Sequence, residues 1–243
     1  MNYFLEAFAW IFSPERLTGA LPLPTAIAQH LAFTFGSVLI AAVIAIPVGW
    51  LIGHTGRGRE FAVFLAGAAR ALPSLGLIVL LVLLLGVSLK TQAAVVAFVL
   101  LAIPSILAGA YAGFESIDRS VIDAGRAMGM TSWQVLWKIE VPLGMPLLIG
   151  GLRIATLQVV ATVTIAAYVG LGGLGYYIIQ GIALRDFPEI LGASIVVIAL
   201  ALLLDGMFAV LQRVVVPRGV TRRPRTSVAQ PDAGRPSMAG SLT

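Results

Sequence analysis

The chain has 243 residues, of which 59% are hydrophobic and only 11% charged, with a mean hydropathy of +0.98. A soluble domain carries about 25% charged residues, so a core and surface in water are excluded and an integral membrane protein is implied. The net charge is +5, there is no cysteine, and the two histidines, His30 and His54, are far apart in the sequence; disulfides, thiolate sites, a cysteine nucleophile and a His-rich metal centre are excluded, and no catalytic or metal-binding residue is expected.

Residues 1–30 form an N-terminal segment. NYFLEAFAWIF is amphipathic and aromatic, which suits a helix at the outer interface, the alternative being a poorly ordered terminus. LPLP breaks that helix, and Thr25 can cap the entry to the first span. The opening MNYFLEAFAW lacks a positive n-region and a small-residue cleavage site, so the first hydrophobic span is expected to do the targeting itself.

One crossing needs about 20 apolar residues. Five stretches qualify: 31–53, 61–86, 93–114, 143–170 and 188–211. The second holds Arg70 and Pro73 and can also be divided into an interfacial helix to Ala71 and a short span from Ser74. Arg153 lies near the beginning of the fourth and Asp205 in the final third of the fifth. The expected fold class is therefore an all-α polytopic membrane protein, with a transmembrane domain over 31–213 and its termini on opposite sides.

Lys and Arg in the connections orient it. With the C-terminus inside, the cytoplasmic segments hold Arg57, Arg59, Arg119, Arg126, Lys138 and the six arginines from Arg213 onward, eleven in all, against Arg16, Lys90 and Arg185 outside. The N-terminus is expected outside and the C-terminus in the cytoplasm. Residues 214–243 are rich in Pro, Gly, Ser and Arg and are expected to form a disordered basic cytoplasmic tail near anionic lipid, with no nucleic-acid partner.

Between the third and fourth spans lies DAGRAMGMTSWQVLWKIEVP, residues 123–142. Asp118 suits the N-cap of a helix through SVIDAGRAM, and Gly129 suits the left-handed position after it. Thr131 with Gln134 fits a capping box that starts a second helix, on which Trp133, Leu136, Trp137 and Glu140 share a face. Pro142 is expected to end that helix. A rigid, aromatic, amphipathic hairpin outside the membrane implies a protein partner, because a helix laid in a groove is read through anchors at this spacing. Truncating a central Trp in such an interface costs roughly 2–4 kcal/mol. The alternative is that both tryptophans belt the membrane interface.

Asp123-Ala124-Gly125, three residues, Gly129, nine residues, then Ile139-Glu140-Val141-Pro142 resembles the EAA motif of ABC importer permeases, E-A-A, three residues, G, nine residues, I-x-L-P. Asp replaces Glu, Gly125 replaces the second Ala and Val replaces Leu, with the spacing intact. Gly125 weakens a helix by about 1 kcal/mol relative to alanine, and closer approach of the partner is the expected reason. The resemblance implies a coupling helix that docks on a cytoplasmic ATPase dimer through Asp123, Ala124, Gly125, Gly129, Thr131, Trp133, Trp137, Ile139 and Pro142. It further implies a second permease subunit, identical or similar, and a separate extracytoplasmic solute-binding protein. No G-x-x-x-x-G-K-[ST] occurs, so no cofactor is expected on this chain, and ATP with Mg is expected on the ATPase.

ALPSLGLIVLLVLLLG from Ala71, the stretch from Gly151 through GLGGLGYYIIQGIAL, and ILGASIVVIALALLLD ending at Asp205 are similar to the osmoprotectant branch (glycine betaine, choline, carnitine). Permeases for methionine, phosphonates or sulfonates share the five-span core and are the alternative. A secondary ion-coupled carrier is the other class; its repeats and buried midplane acids are absent from this sequence. Pathway or gate candidates are Arg70, Pro73, Ser74, Gln158, Thr162, Tyr168, Gly172, Gly173 and Tyr176. Gln158 and Thr162 suit a polar pathway or an interhelical hydrogen bond, and Asp205 suits pairing with a nearby Arg. The glycines of GLGGLG suit a tight re-entrant turn, not a nucleotide cradle, since no strand precedes them.

Overall fold

A computed structural model describes residues 2–215, without the side chains of Phe61, Leu65, Ala68, Ala69 and Arg70. Every regular element among the described residues is helical. In chain order these are α1 (Tyr3–Ile11), α2 (Glu15–Thr18), α3 (Leu23–Thr55), α4 (Arg59–Ala71), α5 (Ser74–Leu85), α6 (Lys90–Glu115), α7 (Arg119–Ala127), α8 (Ser132–Val135), α9 (Val141–Ala166), α10 (Gly175–Leu184) and α11 (Phe187–Val215). Among the described residues four helical stretches are long and apolar enough to cross a membrane: Leu23–Thr55, Val87–Glu115, Ser132–Val169 and Phe187–Val215.

The second apolar stretch is not one span. Leu72 turns extended (ψ 128°), as a residue before proline does, and Pro73, also extended (ψ 117°), is the N-cap residue of α5. The division at Ala71/Ser74 is thus the one the chain adopts. The 12 residues of α5 reach only about 18 Å, short of a hydrocarbon core of about 30 Å. The first span is also longer than expected. It begins at Leu23, with prolines in the preceding and first-turn positions, so Thr25 lies inside the helix and caps nothing. The helix α11 runs to Val215, two residues into the expected tail; residues 216–243 lie outside the described residues.

The central helix is α6, held between α3 and α9. In its most apolar window 67% of residues are buried, against 11% in α11, which makes α11 peripheral. Glycines allow the close approach. A Cβ on Gly113 would stand 2.6 Å from the Gly144 carbonyl oxygen, and one on Gly109 would stand 2.9 Å from Gly151 Cα. The two backbones therefore touch, as small residues allow between membrane helices. On the other side of α6, a Cβ on Gly49 would meet Ala110 Cβ at 2.5 Å.

Polar ties add direction. Arg153 on α9 forks onto Asp205 of α11, Nε to Oδ1 at 2.5 Å and Nη2 to Oδ2 at 2.6 Å. Gln212 Nε2 donates to the Pro146 carbonyl, 2.9 Å away. The expected partner of Asp205 is thus Arg153. At the opposite end, α1 lies on α11, with Ala7 and Trp10 buried and Tyr3 beside Phe187 at 5.6 Å.

Candidate functional site

The elbow between α6 and α9 is assembled from local hydrogen bonds. Asp118 accepts from the Ser120 amide at 2.9 Å, fixing the start of α7. That bond to the charged form holds the Asp118 carboxyl below its usual range. At the other end Gly129 takes φ 82°. Its amide donates to the Arg126 carbonyl (2.9 Å) and the Met130 amide to the Gly125 carbonyl (3.2 Å), a Schellman closure. Thr131 then opens α8 with both arms of the capping box: its amide donates to Gln134 Oε1 at 2.9 Å and its Oγ1 accepts from the Gln134 amide at 3.3 Å.

Pro142 does not end the second helix. Leu136–Glu140 form a π-turn that carries the helix from α8 straight into α9, with Pro142 in the first turn of α9. Proline lacks an N–H and crowds the carbonyl four residues back; the wider π-turn relieves that crowding and keeps the axis continuous. The hairpin is therefore α7 against the extended N-terminal end of the span that contains α9.

Gly125 is buried, and its neighbour is internal. A Cβ there would meet Ile139 Cδ1 at 2.7 Å and Met130 Sδ at 3.4 Å. The glycine thus fits α7 onto α8 and the π-turn, which replaces the expected reason of partner approach. Asp123 and Ala124 of α7 are exposed. Trp133 is 67% exposed, while Trp137 bridges inward. Its ring meets Trp133 and Trp50 at 5.7 Å each, and Trp50 stacks on Phe114 at 6.0 Å.

One contact had no sequence signal. Glu140, 4% exposed, places Oε2 at 2.5 Å from His54 Nδ1 at the end of α3, 86 residues away. With Arg59, Arg119, Arg126 and Asp123 this pair borders a cleft of about 570 Å³ between α3, α6 and α7. Arg59 Nε pairs with Glu115 at 2.9 Å.

The pathway candidates are scattered. Pro73 and Ser74 stand at the α4–α5 break. The helix α4 contains Arg70, whose side chain lies outside the description. Gln158 Oε1 accepts from Ser105 on α6 at 3.4 Å, an interhelical bond, while Thr162 donates back to the Gln158 carbonyl at 2.7 Å. Tyr168 is 67% exposed.

The glycine loop is pinned by residues that the sequence left without a role. Gly173 (φ 83°) donates its amide to Gln29 Oε1 at 3.1 Å, and the Leu174 amide donates to His30 Nδ1 at 3.4 Å. His30 is fully buried, and its Nε2 faces the Val160 carbonyl at 3.2 Å. With Nδ1 accepting, Nε2 carries the proton and donates to Val160. Gly172 lies against the Gln29 side chain, and Tyr176 meets Tyr177 ring to ring at 5.5 Å.

The chain belongs to the family of binding-protein-dependent transport system inner membrane components, whose model matches residues 45–219. Among similar proteins, the glycine betaine/carnitine/choline transport system permease protein OpuCB of Bacillus subtilis (strain 168) is 31% identical over 192 residues, 79% of this chain and 88% of that one. The osmoprotectant import permease protein OsmW of Salmonella typhimurium is 33% identical over 198 residues, 79% and 91% of the two chains. The fold is similar to that of a chain of the inward-facing MetNI methionine ABC transporter, with a TM-score of 0.70 and 24% identity over 80% of this chain and 96% of that chain.

Proposed function

We propose that the chain is the permease subunit of an ATP-driven importer of osmoprotectants, quaternary amines of the glycine betaine, choline and carnitine kind. The observation that carries the reading is the elbow: its spacing matches the family's coupling segment, and its caps make it stiff enough to act as a lever. The substrate class rests on relatives such as OpuCB and OsmW, at 31% and 33% identity. The likeness to the methionine transporter is at 24% identity and bears on fold alone.

In this reading five segments cross the membrane, the stretch 61–86 with its break at Pro73 making the second crossing, with the N-terminus outside and the elbow and C-terminus in the cytoplasm. Residues 31–213 are the transport domain. Two permease subunits surround the path, two ATPase subunits holding ATP and Mg sit against the elbows, and a solute-binding protein docks outside. ATP-driven closure of the ATPases presses on Asp123, Ala124 and Trp133. The π-turn and the His54–Glu140 contact pass that displacement to α9 and α3. The path then opens outward, and Gln158, Thr162 and the pinned glycine loop lie along or beside it.

Membrane vesicles containing the permease, ATPase and binding protein test this with labelled choline, glycine betaine and methionine. ATP-dependent uptake of the quaternary amines is expected, lost in Gly129→Asp together with co-purification of the ATPase. Uptake without the ATPase, or uptake of methionine alone, would contradict the reading.

A further inference from the structure

Three glycines of the loop between α9 and α10 face polar atoms of the helices beside it. A Cβ on Gly172 would collide with Gln29 Oε1 and one on Gly175 with the Thr164 carbonyl, while one on Gly173 would stand 3.3 Å from His30 Nδ1. The amides of Gly173 and Leu174 donate to Gln29 and His30, so the loop hangs on two adjacent side chains of α3. Leu171 is buried in the main core, and Leu174 in a second apolar cluster with Leu23, Ala26 and Tyr177. The loop is thus the strap that joins the two clusters.

His30 reaches further than the loop. Its Nε2 donates to the Val160 carbonyl, which also accepts from Thr164 Oγ1 at 3.1 Å. Val160 stands on α9 midway between Gln158 and Thr162. One neutral imidazole with both nitrogens engaged therefore ties together α3, the loop and the polar part of α9. These ties come from side chains, which a rotamer change can release, whereas the ladder bonds of a helix break only when the backbone moves. Leu174 is fully buried, so its amide finds no water while the loop is seated. Lifting the loop exchanges both bonds for bonds to water, at small net cost for the bonds themselves; seating it without an acceptor strands the amide. Gln29 and His30 therefore decide whether the seated position is favoured.

We propose that Gln29 and His30 are positioning residues for transport: together they latch the glycine loop onto α3 and α9, and the path opens outward only when the latch lets go. The proposal rests on the reading of the chain as the permease of an ATP-driven importer, which puts the loop at the outer end of the path. Docking of the loaded binding protein supplies the free energy that unseats the loop. With the latch intact, outward opening and the ATPase closure coupled to it are rare. With the latch broken, both occur without the binding protein.

The test uses the complex of full-length permease and ATPase in lipid nanodiscs, with and without choline-loaded binding protein. Two substitutions separate the arms of His30. In His30→Gln the amide nitrogen reaches the place of Nε2 and the loop loses its acceptor; in His30→Asn, Oδ1 takes the place of Nδ1 and keeps it. ATP hydrolysis without binding protein should rise about tenfold in His30→Gln, the scale of one buried hydrogen bond, and fall back in His30→Asn. Gln29→Leu should raise it in the same direction, and it stands in should His30→Gln fail to assemble. Amide exchange over residues 170–175 should quicken in both of these variants. A merely structural role would lower hydrolysis instead. Unchanged or lower hydrolysis in both, an equal rise in His30→Asn, or loss of assembly in both would overturn the latch. Choline uptake by the unaltered complex, measured in vesicles alongside, separates the two levels. Uptake with unmoved variants sinks the latch alone, whereas absence of all quaternary-amine uptake sinks the functional reading and the latch with it.

Discussion

Glycines 113 and 125 look alike in the sequence and differ sharply in what surrounds them. A Cβ on Gly113 would lie 2.6 Å from the Gly144 carbonyl oxygen and 3.0 Å from Gly144 Cα, both backbone atoms. A Cβ on Gly125 would meet only the terminal methyl of Ile139 closer than 3 Å. Gly113→Val should therefore prise α6 from α9 and lose most of the folded protein, as read by monodisperse yield in detergent. Gly125→Ala should fold and shift the melting temperature little, since a flexible side-chain end gives way and alanine favours helix by about 1 kcal/mol. The His54–Glu140 contact permits a double-mutant cycle. His54→Ala strands a buried carboxylate and should cost about 1–3 kcal/mol; His54→Ala with Glu140→Leu should recover most of it, because removing both partners avoids the stranded charge. Additive losses in thermal unfolding would show that the contact carries no coupling.

At the scale of elements, the caps were legible because each is written within three to six residues: Asp118 with Ser120, Gly125 to Met130, Thr131 with Gln134. What was hidden depends on partners distant in sequence or on a rare geometry. Pro142 reads as a stop unless the π-turn before it is known. Nothing local joins His54 to Glu140, or His30 to the glycine loop. The α6–α9 contact did leave a trace, since Gly109 and Gly113 have the G-x-x-x-G spacing of close membrane helices. The helix break between Ala71 and Ser74 was visible in Pro73, although hydropathy alone ran straight through it. Thr131→Ala should destabilise the elbow by about 1 kcal/mol, seen as faster amide exchange at Gln134 without loss of the bundle. Asp118 adds a pH dependence of known sign. Its folded carboxyl is depressed, so its cap is intact above the ordinary aspartate range and is lost as pH falls through the lowered value. Exchange at the Ser120 amide should rise on acidification, and Asp118→Asn should abolish that rise.

Across the whole molecule, composition alone announced a membrane protein, and the charge asymmetry of its connections sets an expected orientation that the labelling below tests. The structure adds a mechanical layout: a buried central helix, a stiff elbow continuous with α9, and a second grip on α3 through Glu140. That layout gives force applied at the elbow two routes into the bundle. The claim on which the account turns is that the exposed surface of α7 around Ala124 faces the cytosol and is covered by an ATPase. The chain contains no cysteine, so Ala124→Cys, at an exposed position on α7, reports on a single place. The decisive measurement is its labelling by a membrane-impermeant maleimide. The account predicts no labelling in intact cells, labelling in inverted vesicles stripped of the ATPase, and protection when the ATPase is restored. Labelling from outside intact cells, or labelling in inverted vesicles that the ATPase leaves unchanged, would contradict it.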